Sequence, residues 1–380
     1  MMARKDDDDL SVHELIDGPT QIIPERDLAA VRATGPDPYD LAAAGNQDLS
    51  RYAQDATRDL SAYAADATRD LSAYAADATR DLSSRAEAPG AGTPAGREVV
   101  ELPRLPSAGP LYRRAVLGAL PGAGRRRAAA LPEVELAVAG ATVDRAHLAD
   151  YDRVCGFRIT DRLPATYPYV MGFPLMLRLM AAPDFPMPLV GLVHVANRIT
   201  VRRPVDAGET LDFRAYAENL RPHDRGRQVD VVLVASAGGE EVWRGVSTCL
   251  RKERGAGGGR PDRGERSPAP AASALWRATP RVGTDYARVS GDHNPIHTSR
   301  LGARLFGFPR PIAHGMWSKA RCLAALENRL PDACTVDVAF KLPVRLPSTV
   351  AFSAARTGGS WEFALHDARS GRPHLAGAVR

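Results

Sequence analysis

Beyond residue 131 the chain alternates apolar and polar positions in runs of strand length, broken by Gly, Pro, Asp and Asn. "EVELAVAG", "GLVHVANRITVRRPV", "ETLDFRAYAENLR", "RQVDVVLVASA" and "EEVWRGVSTCLRK" read as strands of an antiparallel sheet. Between the first and second of these runs, "DRAHLADYDRVCGF" predicts a short helix ending at Gly156. Pro168 to Ala182 is apolar enough for a buried helix. The plan then recurs. "TDYARVSG" predicts a short helix and "HGMWSKARCLAALENRL" a long one, followed by the strands "CTVDVAFKL", "STVAFSAART", "SWEFALHDA" and "PHLAGAVR". Short helix, loop, buried helix and strands, twice over, predict an α+β protein built from two copies of one unit.

The first third has a different texture. Residues 48 to 83 repeat an eleven-residue unit, "DLSRYAQDATR" and then "DLSAYAADATR" twice. Eleven residues make three helical turns at about 3.67 per turn. Leu60, Tyr63, Ala64 and Ala67 share one face, and Leu71, Tyr74, Ala75 and Ala78 continue it. The stripe is narrow and Ala-rich, so it predicts a solvated spacer or a weak coiled-coil arm. Two Asp per unit, against two Arg in the first unit and one in each of the next two, do not match the basic polar face of lipid-surface helices. Residues 1–45 read as disordered. The expected organisation is therefore 1–105 as disordered head and repeat arm, 106–252 as a first unit, 253–274 as a linker and 275–380 as a second unit. "ERGAGGGRPDRGERSPAPAASA" carries the Gly/Pro/Arg composition of such a linker.

Charge sharpens the division. Residues 1–90 hold 9 Lys and Arg against 18 Asp and Glu, whereas the remainder carries a net charge of +14. A basic body attracts anions, with the phosphates of coenzyme A or an acidic carrier protein as candidates. No long Lys/Arg run or recognisable motif points to nucleic acid. Cys155, Cys249, Cys322 and Cys334 show no C-x-x-C spacing, which argues against a zinc site and a disulfide framework. The N-terminus lacks an apolar signal region and no segment is long enough to span a membrane, so a cytoplasmic location is expected.

The unusual chemistry lies in "SGDHNPIHTSRLGARLFGFPRPIAHGM". Pro295 has no amide proton and disfavours helix at Asn294, so Asp292 and His297 sit on either side of a bend. A carboxylate and an imidazole facing one small substrate suit the addition or removal of water. An Asx turn with a capping His is the plainer alternative. His314-Gly315 opens the buried helix, whose first amides lack internal partners. Gly315 there would let a thioester carbonyl approach N–H groups that stabilise negative charge, unless it serves only helix packing. His194 reads as a strand residue beside a helix, and Met316, Trp317 and Cys322 as core.

"SGDHNPIH" followed by "FGFPRPIAHGM" resembles the hydratase motif of the MaoC-like (R)-specific enoyl-CoA hydratases and 3-hydroxyacyl-thioester dehydratases, and residues 110 to 380 resemble the two-hot-dog actinobacterial type. The resemblance implies a double hot-dog, two antiparallel sheets each wrapped around a long helix. It implies reversible dehydration of (3R)-hydroxyacyl thioesters, with Asp292, Asn294, His297 and Gly315 as catalytic residues. Gly315, His314 and Ser290 would meet the substrate. No metal and no cofactor are expected beyond the CoA or phosphopantetheine of the substrate, and the protein would act as monomer or homodimer. The first unit lacks D-x-N-P-x-H and would bind acyl chain without chemistry, so enlarging Gly172 should obstruct long chains. A hot-dog thioesterase and a non-enzymatic acyl- or lipid-binding scaffold are the competing functions.

Overall fold

The computed structural model describes residues 22–23, 96–117, 128–189, 191–253, 271–357 and 359–380. The eleven-residue repeat and most of the expected linker lie outside the described residues. The first elements are β1 (Ile22–Ile23), β2 (Glu98–Glu101), α1 (Ala108–Leu117), β3 (Val134–Ala141), α2 (Arg145–Cys155) and α3 (Tyr167–Met180). Four strands follow: β4 (Leu192–Val201), β5 (Leu211–His223), β6 (Gly226–Ala237) and β7 (Glu240–Lys252). The second half has β8 (Ala274–Ala278), α4 (Val282–Ser290), the short α5 (Pro295–Thr298) and α6 (Arg300–Leu305), and α7 (Gly315–Leu326). It closes with β9 (Cys334–Phe340), β10 (Ser348–Thr357), β11 (Ser360–Asp367) and β12 (Pro373–Val379).

Beyond residue 131, each helix and strand read from the pattern forms within a few residues of its expected place. Short elements escaped it. β2 lies inside the stretch expected to stay outside the body, yet it pairs in parallel with β3, Glu98 opposite Val134. β1 lies in the stretch read as disordered and pairs with β8, Ile22 opposite Trp276. Two or four residues are too few to show alternation, so neighbouring edges decide their conformation. β8 follows directly on the linker composition and was hidden by it.

The described strands form one sheet in the order β1-β8-β10-β11-β12-β9-β4-β7-β6-β5-β3-β2. The two expected sheets are thus joined edge to edge where β4 meets β9, from Ala196 opposite Ala339 to Val201 opposite Cys334. The pairing leaves neither half with an open edge at the seam. α3 packs on β5 and β6, and α7 touches β11. One apolar cluster runs through both halves, from Leu136 and Val138 to Leu375 and Val379.

Two buried contacts fix the helices. Gly172 lets α3 lie close to the sheet, since a Cβ there would stand 2.5 Å from Leu233 Cδ2. This glycine is a packing position, and a larger side chain there meets the Leu233 methyls first. Lys319, fully buried on α7, donates to Asn197 Oδ1 at 2.6 Å, Asn197 O at 3.2 Å and Val336 O at 3.1 Å. Those acceptors belong to β4 and β9, so one ammonium group ties the helix to the seam. Burial pulls its pKa down to about 7, opposed by Asp337 nearby.

Candidate active site

α4 ends at Gly291, whose φ of 72° is the left-handed conformation a C-cap glycine provides. The chain then bends. The Ser290 hydroxyl accepts from Asp292 N at 3.2 Å, and Asp292 Oδ1 accepts from Asn294 N at 3.3 Å. Asn294 caps α5 by accepting from Ile296 N at 3.3 Å, with Pro295 at the first helical position. The Asx turn is therefore real, and it delivers His297 to the same place as Asp292.

His297 is buried, and its Nδ1 lies 2.7 Å from Ile312 O. A carbonyl only accepts, so Nδ1 carries the proton and Nε2 keeps its lone pair. His314 stacks on His297 with ring centroids 3.6 Å apart, and its Nε2 donates to Asp292 O at 2.9 Å. Ligand-type atoms of Asp292, His297 and His314 all lie within 4.8 Å of one another. Asp292 keeps 26% of its side chain exposed, against 3% for His314, so the carboxylate is the open member. Burial opposes its ionisation, but His314, His297, a hydrogen bond from Tyr112 and the Asn294 amide outweigh it and lower its pKa. Burial lowers both imidazoles, His314 to about 3 with His297 adding to the effect. The outcome near neutrality is one carboxylate beside two neutral imidazoles.

One carboxylate and two histidines are also a metal-binding set. The stacking works against that use. In-plane lone pairs on rings only 26° apart run side by side, whereas a shared ion needs them to converge at about 2.1 Å.

Gly315 is the first residue of α7, and His314 is its N-cap without a side-chain cap bond. Among the described residues the Gly315 amide donates to no partner. A Cβ on Gly315 would stand 3.1 Å from Phe340 Cδ1 and Cε1, so the absence of a side chain keeps the helix end close to the sheet. Such an end stabilises negative charge.

The structure thus brings Asp292, Asn294, His297, His314 and Ser290 around one turn, with Gly315 following His314. Ser290 and His314 hold backbone of the turn rather than standing at its open side. The first half adds two residues. His194 on β4 lies 5.0 Å from the Phe340 ring and 6.3 Å from Tyr169, ring centre to ring centre. Met316, Trp317 and Cys322 are core, with Trp317 Nε1 donating to Val154 O at 3.2 Å. One residue escaped the sequence reading altogether: Tyr112 on α1 donates its hydroxyl to Asp292 Oδ1. Nothing local marks it, since its partner stands 180 residues later.

Comparison with known proteins adds the lineage. Residues 273–374 match the MaoC like domain. The chain is 40% identical over 269 residues to 3-hydroxyacyl-thioester dehydratase X of Mycobacterium tuberculosis, which covers 70% of this chain and 95% of that protein. The crystal structure of HtdX of the same organism superposes with a TM-score of 0.59 at 39% identity, covering 65% of this chain and 99% of that one. A MaoC-like dehydratase from Phytophthora capsici shares the fold at 20% identity and a TM-score of 0.53, covering 64% of this chain and 94% of its own. The hot-dog architecture is common to them. Among the described residues no helix is long and apolar enough to cross a membrane.

Proposed function

This chain belongs to the MaoC-like dehydratase family, and from that premise we propose its reaction: reversible dehydration of a (3R)-hydroxyacyl thioester to the trans-2-enoyl thioester, a hydro-lyase step of fatty-acid metabolism. The observation that carries the assignment is the pairing of an ionised, partly open Asp292 with a neutral His297 whose free lone pair is at Nε2.

In the dehydrating direction the C2–H and C3–O bonds break, the C2–C3 double bond forms and water departs. The thioester carbonyl acidifies C2, and charge moving onto its oxygen meets the Gly315 amide at the start of α7. Asp292 and His297 handle one proton between them: it is taken from C2 and passed on to the departing hydroxyl, which leaves as water, so both groups end in the states in which they began. Asn294 keeps the bend, and Ser290 and His314 hold its backbone. No electrons leave the substrate, so the step calls for no redox cofactor.

The carrier is CoA or a phosphopantetheine-bearing protein. Arg345 pairs with Ile312 through the backbone, next to the carbonyl that orients His297. Burial lowers its pKa, and Arg372 and Arg310 beside it add to the effect. Cations crowded against one another at the side of the turn favour a phosphate-bearing ligand. The seam unites both halves in one chain, which serves as the unit of activity, alone or as a homodimer.

Crotonyl-CoA tests the reading. The purified protein should lower the enoyl absorbance to the hydration equilibrium without releasing free thiol. Thiol release with the enoyl group consumed only by hydrolysis would make it a thioesterase. Neither change would leave the scaffold reading.

A further inference from the structure

α1 opens the first half of the fold and reaches the catalytic turn of the second. A Cβ on Gly291 would lie 3.6 Å from Ala108 Cβ, at the first residue of α1. Leu105, Ala108, Leu111 and Tyr112 rest against the main core, and α1 touches α3. From that anchored helix the Tyr112 hydroxyl donates to Asp292 Oδ1, the oxygen that also accepts from Asn294 N at 3.3 Å. The other oxygen, Oδ2, makes no hydrogen bond among the described residues and stands 3.9 Å from His314 Nε2.

We propose that Tyr112 is a positioning residue for Asp292, fixing the rotation of its carboxylate so that Oδ2 is the oxygen offered to substrate. The proposal rests on the reaction assigned above for its kinetic consequence but not for the hydrogen bond itself. The torsion of a carboxylate about its last bond is broad and nearly two-fold, so one donor leaves it loose. Two donors converging on Oδ1, one from the turn and one from α1, hold it. Oδ2 then has no partner to surrender when substrate arrives. The phenol is suited to the task, because burial and the adjacent Asp292 raise its pKa far above the ordinary value and keep it a donor.

The groups facing Asp292 are Tyr112 from α1, Tyr169 from α3, His194 from β4, Tyr286 from α4, His297 from α5 and His314 at the head of α7. Burial keeps the three imidazoles below their usual pKa, which favours their neutral forms. A donor to an ionised carboxylate stabilises its charged form, so removing Tyr112's hydroxyl raises the Asp292 pKa.

Tyr112→Phe in the full-length chain tests this. Carbon-13 titration of the Asp292 carboxyl should show its midpoint raised by about one pH unit, a tenfold change in proton affinity. With crotonyl-CoA, kcat should fall about tenfold while KM stays within about twofold, and the acid limb of the rate profile should move to higher pH. Leu111→Ala loosens α1 but keeps the hydroxyl. It should lower the melting temperature and leave that limb where it is. An unmoved carboxyl titration in Tyr112→Phe overturns the proposal, as does faster turnover, which would make the hydroxyl a stopper in the site. If the wild type turns over no crotonyl-CoA, the titration still decides: a shifted midpoint keeps the positioning role and removes only the assigned reaction.

Discussion

The two halves carry nearly the same helix and diverge at the residue after it. Asp150 to Gly156 reads DYDRVCG, and Asp285 to Gly291 reads DYARVSG. Both helices end on a left-handed glycine whose amide returns to the carbonyl four residues back, Gly156 to Asp152 O at 2.7 Å and Gly291 to Ala287 O at 3.0 Å. They pack together, with Tyr151 and Tyr286 ring centroids 6.3 Å apart and Arg288 bound to Asp150 at 2.8 Å. Next comes Phe157 in the first half and Asp292 in the second. Phe157 is buried and stacks on Tyr151, so where one half exposes a carboxylate the other adds core.

The loops and the second helices follow suit. In the first half Tyr151 donates to Thr166 Oγ1 at 2.7 Å and Trp243 to Ala165 O at 2.7 Å, so the loop's polar groups are bound to its own walls. α3 then opens with Tyr167, whose amide is held by Pro164 O at 2.8 Å, and Pro168, which has no amide proton. In the second half the corresponding opening is Gly315, whose amide has no partner among the described residues. In the proposed site the shared frame leaves a carboxylate oxygen, an imidazole nitrogen and a helix amide without partners among the described residues. The frame becomes a wall when those positions are filled. On this fold the proposed chemistry follows from which polar groups are left unsatisfied.

The comparison can be broken at its packing first. Gly172→Leu forces a side chain into the Leu233 methyls, where core overpacking costs about 2–3 kcal/mol. The melting temperature should fall by several degrees, and short and long acyl substrates should lose turnover alike. A selective loss on long chains would restore a tunnel wall at this position.

The helix amide comes next. Gly315→Ala sets a Cβ 3.1 Å from Phe340, so the ring or the helix end must shift by a few tenths of an ångström. An oxyanion donor removed outright costs about a hundred- to a thousand-fold, and one merely displaced about tenfold. Steady-state kcat for crotonyl-CoA with an unchanged melt is the check. Wild-type kcat would detach the helix end from the reaction.

The smallest effect lies at Asp152, which takes the place of Ala287 in the other helix. It is fully buried, and among the described residues neither carboxylate oxygen has a partner. Burial raises its pKa to about 7, with Glu327 adding and Arg153 opposing. A raised folded-state pKa means the native protein holds a proton the unfolded chain has lost. Stability is therefore full below the ordinary carboxylate pKa and is lost as pH rises toward 7. Asp152→Ala, copying the second half, should melt higher than wild type by about 2–4 °C at pH 8, a gap worth about 1 kcal/mol, and the gap should shrink at pH 4. A gap independent of pH would mean the carboxyl is ionised throughout.

Much of this was legible in the sequence. The turn chemistry of Asp292, Asn294 and Pro295 and the helix start at Gly315 are local, and so are the long alternating strands. What was hidden depends on distance. Tyr112 meets Asp292 only because α1 folds across to the other half. Lys319 looks like an intrusion in an apolar helix until the seam supplies Asn197 O, Asn197 Oδ1 and Val336 O. β2 is too short to announce itself, and the equivalence of Phe157 and Asp292 shows only once the two helices lie side by side. Ser290 and His314 were expected at substrate, but a motif places residues near a site without saying which of them face its open side.

In the proposed reaction the second half alone supplies the acid/base pair. Turnover of crotonyl-CoA by Asp292→Asn and by His297→Ala, each beside the wild type, tests it most directly. Each variant should lose about a thousandfold in kcat while melting cooperatively within a few degrees of wild type. Near wild-type turnover in either removes that residue from the chemistry, and in both it places the reaction somewhere other than this turn.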